Sequence, residues 1–305
     1  MAGGDVVKVA HNVQCASRNC GPLGRSRQAA VGFEEQLIEF AMALADTVDR
    51  IRSGVFHIVC LDDQGNRIAS GTAFSSYGYL ITNAHVARVP AGCTVWIRRE
   101  GDGQNDGFKI KGQKFRFQQK SASDENNYDF SIIDLPEVTE KPGTYSFTMR
   151  SPENYRVGQI VAFLGYPLEH QNLSCHSGII SSLYRSGPVR VLQLDASVNV
   201  SNSGGPLFDI ESGEVIGIIT RKATGLTRIF GELREAINKN LAIVEETRKS
   251  GSITLMGIDP NAAFVASQNQ MLHTISEIER QANVGIGYAF SVEHIMNDNL
   301  IHSRL

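Results

Sequence analysis

The chain has 305 residues, 42% of them hydrophobic, which is enough for two modest cores plus extensions and excludes an intrinsically disordered polypeptide. A formal charge of −3 with both signs interspersed leaves no polybasic footprint, which excludes nucleic acid and an anionic membrane surface as partners. No apolar run approaches the roughly 18 residues of a membrane span, and Met1 to Lys8 lack the basic-then-apolar pattern of a secretory leader, so the expectation is a cytoplasmic protein.

Residues 1 to 30 have no sustained period and read as an irregular lead-in. They contain His11, Cys15 and Cys20, but a fourth ligand is missing and the spacing matches no zinc pattern, so no metal or cofactor is expected. With Cys60, Cys93 and Cys175 the cysteines are odd in number, and they read as reduced thiols. Phe33, Leu37, Phe40, Ala41, Leu44, Val48 and Ile51 recur at helical steps, which predicts an amphipathic helix ending near Ser53-Gly54. Such a stripe has to be buried, either on the body of the protein or against a regulatory partner.

From Gly54 the period becomes that of strands: Val55 to Leu61, Arg67 to Phe74, Tyr79 to Thr82, Thr94 to Arg98, Phe108 to Phe117 and Tyr128 to Leu135. Ser121 to Asn127 read as a polar loop, and Lys141-Pro142-Gly143 with Ser151-Pro152 as a linker. A second set covers Gln159 to Leu164, Ser174 to Leu183, Val189 to Leu194, Pro206 to Asp209, Val215 to Arg221 and Val284 to Phe290. Before the last of these, Leu233, Ile237, Leu241 and Val244 form one helical stripe, and Phe264, Leu272, Ile275, Ile278 and Ala282 another.

Three short segments carry chemistry. Val198 to Leu207 form a polar, glycine-paired turn holding Ser203, and a serine hydroxyl attacks only when a base takes its proton and fixed donors meet the oxyanion. Thr82-Asn83-Ala84-His85-Val86 supplies the histidine, and Asn127 to Ile133 supply Asp129, with Asp124 and Asp134 as neighbouring carboxylates. Asp129 is preferred for its place at a strand entry. The order His, Asp, Ser, at separations of 44 and 74 residues, lifts these segments above ordinary turn chemistry.

Together the segments resemble a trypsin-fold serine protease of the HtrA/Deg branch. The resemblance implies a mainly β fold of two antiparallel six-stranded Greek-key barrels, with His85 and Asp129 from the first and Ser203 from the second. The domain reading is an extension over 1–53, a first barrel over 54–150, and a second over 151–305 with a helical insertion at 223–283 and a short C-terminal helix. The relatives carry a PDZ module after the protease domain, and none is expected before Leu305. In the family's logic Ser203 attacks a peptide carbonyl, His85 shuttles the proton and Asp129 holds the histidine tautomer, with no cofactor.

The oxyanion hole is expected from the N–H groups of Ser201 and Ser203, flanking Asn202. Most relatives have glycine where Ser201 stands, so the resting hole is expected either to tolerate serine or to form only with substrate or a partner. Alignment on Ser203 puts the substrate pocket at Ser197, Thr220, Arg221, Lys222 and Gly287. No carboxylate occupies the floor, which disfavours a buried Lys or Arg and points to an apolar or small side chain. The expected partners are protein or peptide substrates and a regulatory protein acting through the N-terminal helix or the insertion. Two rival readings share the fold: a silent peptide-binding module, and an esterase or acyl transferase.

Overall fold

Alternating, β-branched segments from Val55 onward form thirteen strands among the described residues, all paired antiparallel. The computed structural model describes residues 42–103, 106–124, 127–167, 171–199, 201–220, 225–249, 259–282 and 285–305. It divides into two units, Met1–Ala45 and Asp46–Leu305. In the first unit the described residues, 42–45, are helical. In the second, the backbone stays helical to Ile51, and Thr47 Oγ1 donates to the Ile210 carbonyl at 2.9 Å, docking this turn on the body of the unit.

The first half of that unit is a seven-stranded sheet in the order β5-β4-β1-β2-β3-β7-β6. Its strands are β1 (Val55–Leu61), β2 (Arg67–Ser76), β3 (Tyr79–Thr82), β4 (Thr94–Arg99), β5 (Phe108–Lys111), β6 (Gln119–Ser123) and β7 (Phe130–Ile133). Phe56, Ile58, Leu80, Ile97, Phe115 and Ile133 fill its core. Each such side chain contributes about 1.5–3 kcal/mol by leaving water.

The second half is a closed six-stranded barrel in the order β10-β13-β12-β11-β8-β9. It comprises β8 (Ile160–Gly165), β9 (Ser174–Ser186), β10 (Val189–Asp195), β11 (Pro206–Phe208), β12 (Val215–Thr220) and β13 (Gly287–Ser291). Val161, Phe163, Ile180, Leu192, Leu207 and Ile219 form a separate core. Two cores, one per half, give the mainly β, two-barrel architecture of a trypsin-like fold, with the first half left open as a half-barrel.

One segment departs from the sequence expectation. Phe108 to Phe117 are not a single strand: β5 stops at Lys111, Gly112–Phe117 turn helical, and β6, which begins at Gln119, runs to Ser123 into the stretch read as loop. The alternation of Phe115 and Phe117 mimics a strand, yet Phe115 is 1% exposed and Phe117 81%. At Gly112 a Cβ would stand 2.1 Å from the Pro90 carbonyl, so glycine lets the chain turn against that loop. The extra strand makes seven in the first sheet rather than six.

Between β12 and β13 lie two long helices, α1 (Gly225–Lys249) and α2 (Pro260–Ala282). Their buried side chains among those described are Ile237 and Ile275, and Arg234 bonds Ser276 across the pair at 3.3 Å. The chain closes with two short helices, Glu293–Met296 and Asn299–His302.

Candidate active site

His85 sits in a single helical turn, Ala84–Ala87, that begins directly after β3. β3 pairs with β7, Thr82 opposite Ser131, so the end of one strand meets the start of the other. Asp129 immediately precedes β7 and adopts a left-handed conformation, φ 45°. Aspartate is among the few residues that tolerate this region, and the bend turns its carboxylate back toward the helical turn.

The consequence is a directly bonded pair. His85 Nδ1 lies 2.8 Å from Asp129 Oδ2, and the His85 backbone N–H donates to Asp129 Oδ1 at 3.2 Å. Thr220 Oγ1, at the end of β12, donates to Asp129 Oδ2 at 2.8 Å, and Asn83 Nδ2 holds the Asp129 carbonyl at 2.8 Å. Asp129 is 3% exposed, so its carboxylate is shielded from water, while the His85 side chain remains 29% exposed. A proton on Nδ1 directed at the carboxylate would leave Nε2 free to act as a base.

Ser203 is pinned from both halves of the unit. Thr72 N–H on β2 donates to the Ser203 carbonyl at 2.8 Å, and Gly204 N–H donates to Ile219 O on β12 at 2.8 Å. Gly204 has φ 88°, and a Cβ there would meet Thr72 O at 2.0 Å and Thr82 Oγ1 at 2.3 Å. Only glycine lets the serine turn lie this close to the residues leading into His85. No hydrogen bond joins Ser203 Oγ to the His85 ring among the described residues. Catalytic contacts of this kind often tighten only around substrate.

Ser201, at φ 75°, also adopts the left-handed conformation. It stands third in a turn closed by Asn202 N–H to Asn199 O at 3.1 Å, where glycine is the usual occupant, and serine costs about 1–2 kcal/mol there. The Ser203 N–H has no acceptor among the described residues. Asn202 is fully buried, and neither Nδ2 nor Oδ1 of its side chain has a partner among them.

Residues 69–218 match the family described as Trypsin-like peptidase domain. The chain carries a trypsin-like peptidase domain. The probable periplasmic serine endoprotease DegP-like of Halomonas elongata is 31% identical over 200 residues, covering 63% of this chain and 37% of that protein. Serine protease HTRA1 of Xenopus tropicalis is 29% identical over 235 residues, covering 69% of this chain and 45% of that protein. The chain thus spans less than half the length of these HtrA/DegP relatives. The solved structure of the HtrA-type protease AlgW with tripeptide aligns at 20% identity with a TM-score of 0.48, covering 85% of this chain and 64% of that one.

The residues expected to line a substrate pocket in this peptidase domain fall in different places. Ser197 Oγ accepts the Gly285 N–H at 3.0 Å, and Gly287 lies so close that a Cβ would meet Val198 Cγ2 at 2.5 Å, so these two share one corner of the barrel. Thr220 is buried opposite Tyr288 of β13, its hydroxyl bonded to Asp129. Arg221 and Lys222 lie outside the described residues, as do His11, Cys15 and Cys20.

Sequence reasoning missed two features. One is the Thr220 hydroxyl on Asp129, which no local pattern announces. The other is a cleft of about 130 Å³ beside His85, with walls from Ile58, Cys60, Ala69, Ser70, Val86 and Val89. Arg88 also borders it; Ile58, Cys60 and Ala69 come from strands β1 and β2, whose alternation was legible, but their position against His85 was not.

Proposed function

We propose that the domain is a serine endopeptidase that cleaves protein or peptide substrates through an acyl-enzyme on Ser203. The observation that carries the reading is the His85 Nδ1 to Asp129 Oδ2 bond of 2.8 Å, with the serine turn anchored on the strands around it. His85 Nε2 takes the Ser203 proton as Oγ attacks the carbonyl and returns it to the leaving amine. Asp129, held by Thr220 and the His85 N–H, fixes the ring and stabilises the imidazolium. The N–H groups of Ser203 and Ser201 receive the developing oxyanion. HtrA/DegP relatives named as serine proteases support this chemistry.

The test is covalent labelling with a fluorophosphonate, comparing the wild type with Ser203→Ala and mapping the adduct. Labelling at Ser203 together with cleavage of an unfolded protein is expected. Absence of labelling by both the pure protein and a cell extract containing it would instead favour a silent peptide-binding module.

Regulation through the helical pair belongs to the same reading. α1 leaves the β12 end of the barrel and α2 returns to β13, and those strands are hydrogen-bonded neighbours. A shift of the pair would therefore move Thr220 and Gly287 together. Replacing residues 225–282 by a short linker should change the cleavage rate or its response to substrate, and an unaltered rate would remove the helices from regulation.

Cytoplasmic residence is also proposed, on the free thiols of Cys60 and Cys93, which are both buried in the first core. The Halomonas relative is named as periplasmic. Thiol titration of protein isolated from its source without reductant decides: a Cys60–Cys93 disulfide would place it in an oxidising compartment.

A further inference from the structure

Three non-glycine residues have positive φ among those described, Tyr77, Asp129 and Ser201, and the last two are in the site. Asp129 is a residue type suited to that conformation, but Ser201 is not, so something must hold it. The holding groups come from β2, in the other half of the unit. Ser201 Oγ lies 2.6 Å from Ser70 Oγ, and the Ser201 carbonyl accepts a hydrogen bond from Thr72 Oγ1 at 2.7 Å. Thr72 is itself fixed: its Oγ1 accepts the Tyr166 N–H at 3.1 Å, its carbonyl accepts Thr82 Oγ1 at 2.6 Å, and its N–H holds the Ser203 carbonyl at 2.8 Å.

We infer that Ser70 is a positioning residue for the peptidase reaction: through the Ser201 hydroxyl it clamps the Ser201–Ser203 turn in the conformation that presents the oxyanion donors. The inference rests on the endopeptidase reading. Glycine at position 201 would reach the same φ without strain but would offer Ser70 nothing to bond. Serine supplies the hydroxyl, and the pair Ser70–Ser201 exchanges backbone freedom for a cross-half tether. Ser70 also lines the cleft that His85 borders, so the tether and the imidazole share one cleft. Thr72 and Ser70 project from alternate positions of one strand, at either side of Gly71, so a single strand carries both halves of the clamp.

The experiment is a double-mutant cycle with Ser70→Ala, Ser201→Ala and both together, measured on three readouts. These are kcat and KM for a peptide substrate, affinity for a peptidyl boronate that forms a tetrahedral adduct on Ser203, and the thermal midpoint. Each single variant should lower kcat and boronate affinity by the same factor, about 10-fold, with KM nearly unchanged, because a misplaced donor weakens the oxyanion contact and not ground-state binding. The double variant should match either single one, since both remove one bond. A lowered thermal midpoint with kcat and boronate affinity intact would overturn the inference and leave Ser70 as packing alone. Multiplicative losses in the double variant would overturn it too. A wild type that takes neither boronate nor fluorophosphonate overturns the endopeptidase reading, and the inference falls with it.

Discussion

Thr220 Oγ1 donates to Asp129 Oδ2 at 2.8 Å, joining the last residue of β12 in the closed barrel to the carboxylate supplied by the open sheet. The same oxygen faces His85 Nδ1, so the threonine hydroxyl helps set the angle at which the imidazole is held. Removing it leaves a buried carboxylate one donor short, at a cost of about 1–3 kcal/mol. Thr220→Val should therefore lower kcat about 10-fold with KM nearly constant, and Thr220→Ser should keep most of the activity. Steady-state kinetics on one peptide checks this. A change confined to KM would make Thr220 a substrate contact instead.

Asp129 can be probed without disturbing its backbone. Asparagine tolerates φ 45° as aspartate does, but it presents an amide where His85 needs an acceptor. Asp129→Asn should lower kcat by roughly 10³–10⁴-fold while the thermal midpoint stays close to that of the wild type. Asp129→Ala should lose comparable activity and in addition about 1–2 kcal/mol of stability from the left-handed backbone. Chemical denaturation separates the two variants.

His57 predicts an acid limb in stability. It is 2% exposed, stacked on Tyr166 at 4.7 Å, and neither ring nitrogen has a partner among the described residues. Burial, reinforced by Arg98 and Arg67, lowers its pKa from 6.5 to about 3. Above 6.5 both folded and unfolded chains carry it neutral. Below that the unfolded chain takes up the proton and the folded chain does not until about pH 3, so stability falls as pH drops, by up to about 1.4 kcal/mol per unit. Urea midpoints measured from neutral to acid pH should show this slope, and His57→Phe, which keeps a ring on Tyr166, should flatten it.

Gly204 has no room for a side chain. A Cβ would stand 2.0 Å from the Thr72 carbonyl, and φ 88° is itself unfavourable for alanine. Gly204→Ala should cost about 2–4 kcal/mol of unfolding free energy and sharply slow Ser203 labelling, because the turn must lift off β2. Labelling at the wild-type rate would mean that the turn does not depend on that contact.

Much of the fold was legible because it is written locally. β1 and β3 run over the residues their alternation predicts, and the helical stripes at Ile237 and Ile275 are helices. The segment after Lys111 was not legible, since Phe115 and Phe117 alternate like a strand and only their burial, set by packing against the first core, separates them.

For the site, the sequence by itself determined which residues could do the chemistry: a histidine after one strand, an aspartate before another, and a serine before paired glycines. These are properties of residue type and short-range conformation, readable from neighbours in the chain. Only the tertiary structure decided which hydroxyls hold them. Thr220 reaches Asp129 across 91 residues and Ser70 reaches Ser201 across 131, and both bonds exist because strand pairing and the docking of the open sheet on the closed barrel place β12 and β2 there. Such contacts leave no period or spacing in the sequence, since a serine or threonine on a strand looks the same whether its hydroxyl meets water or a buried carboxylate.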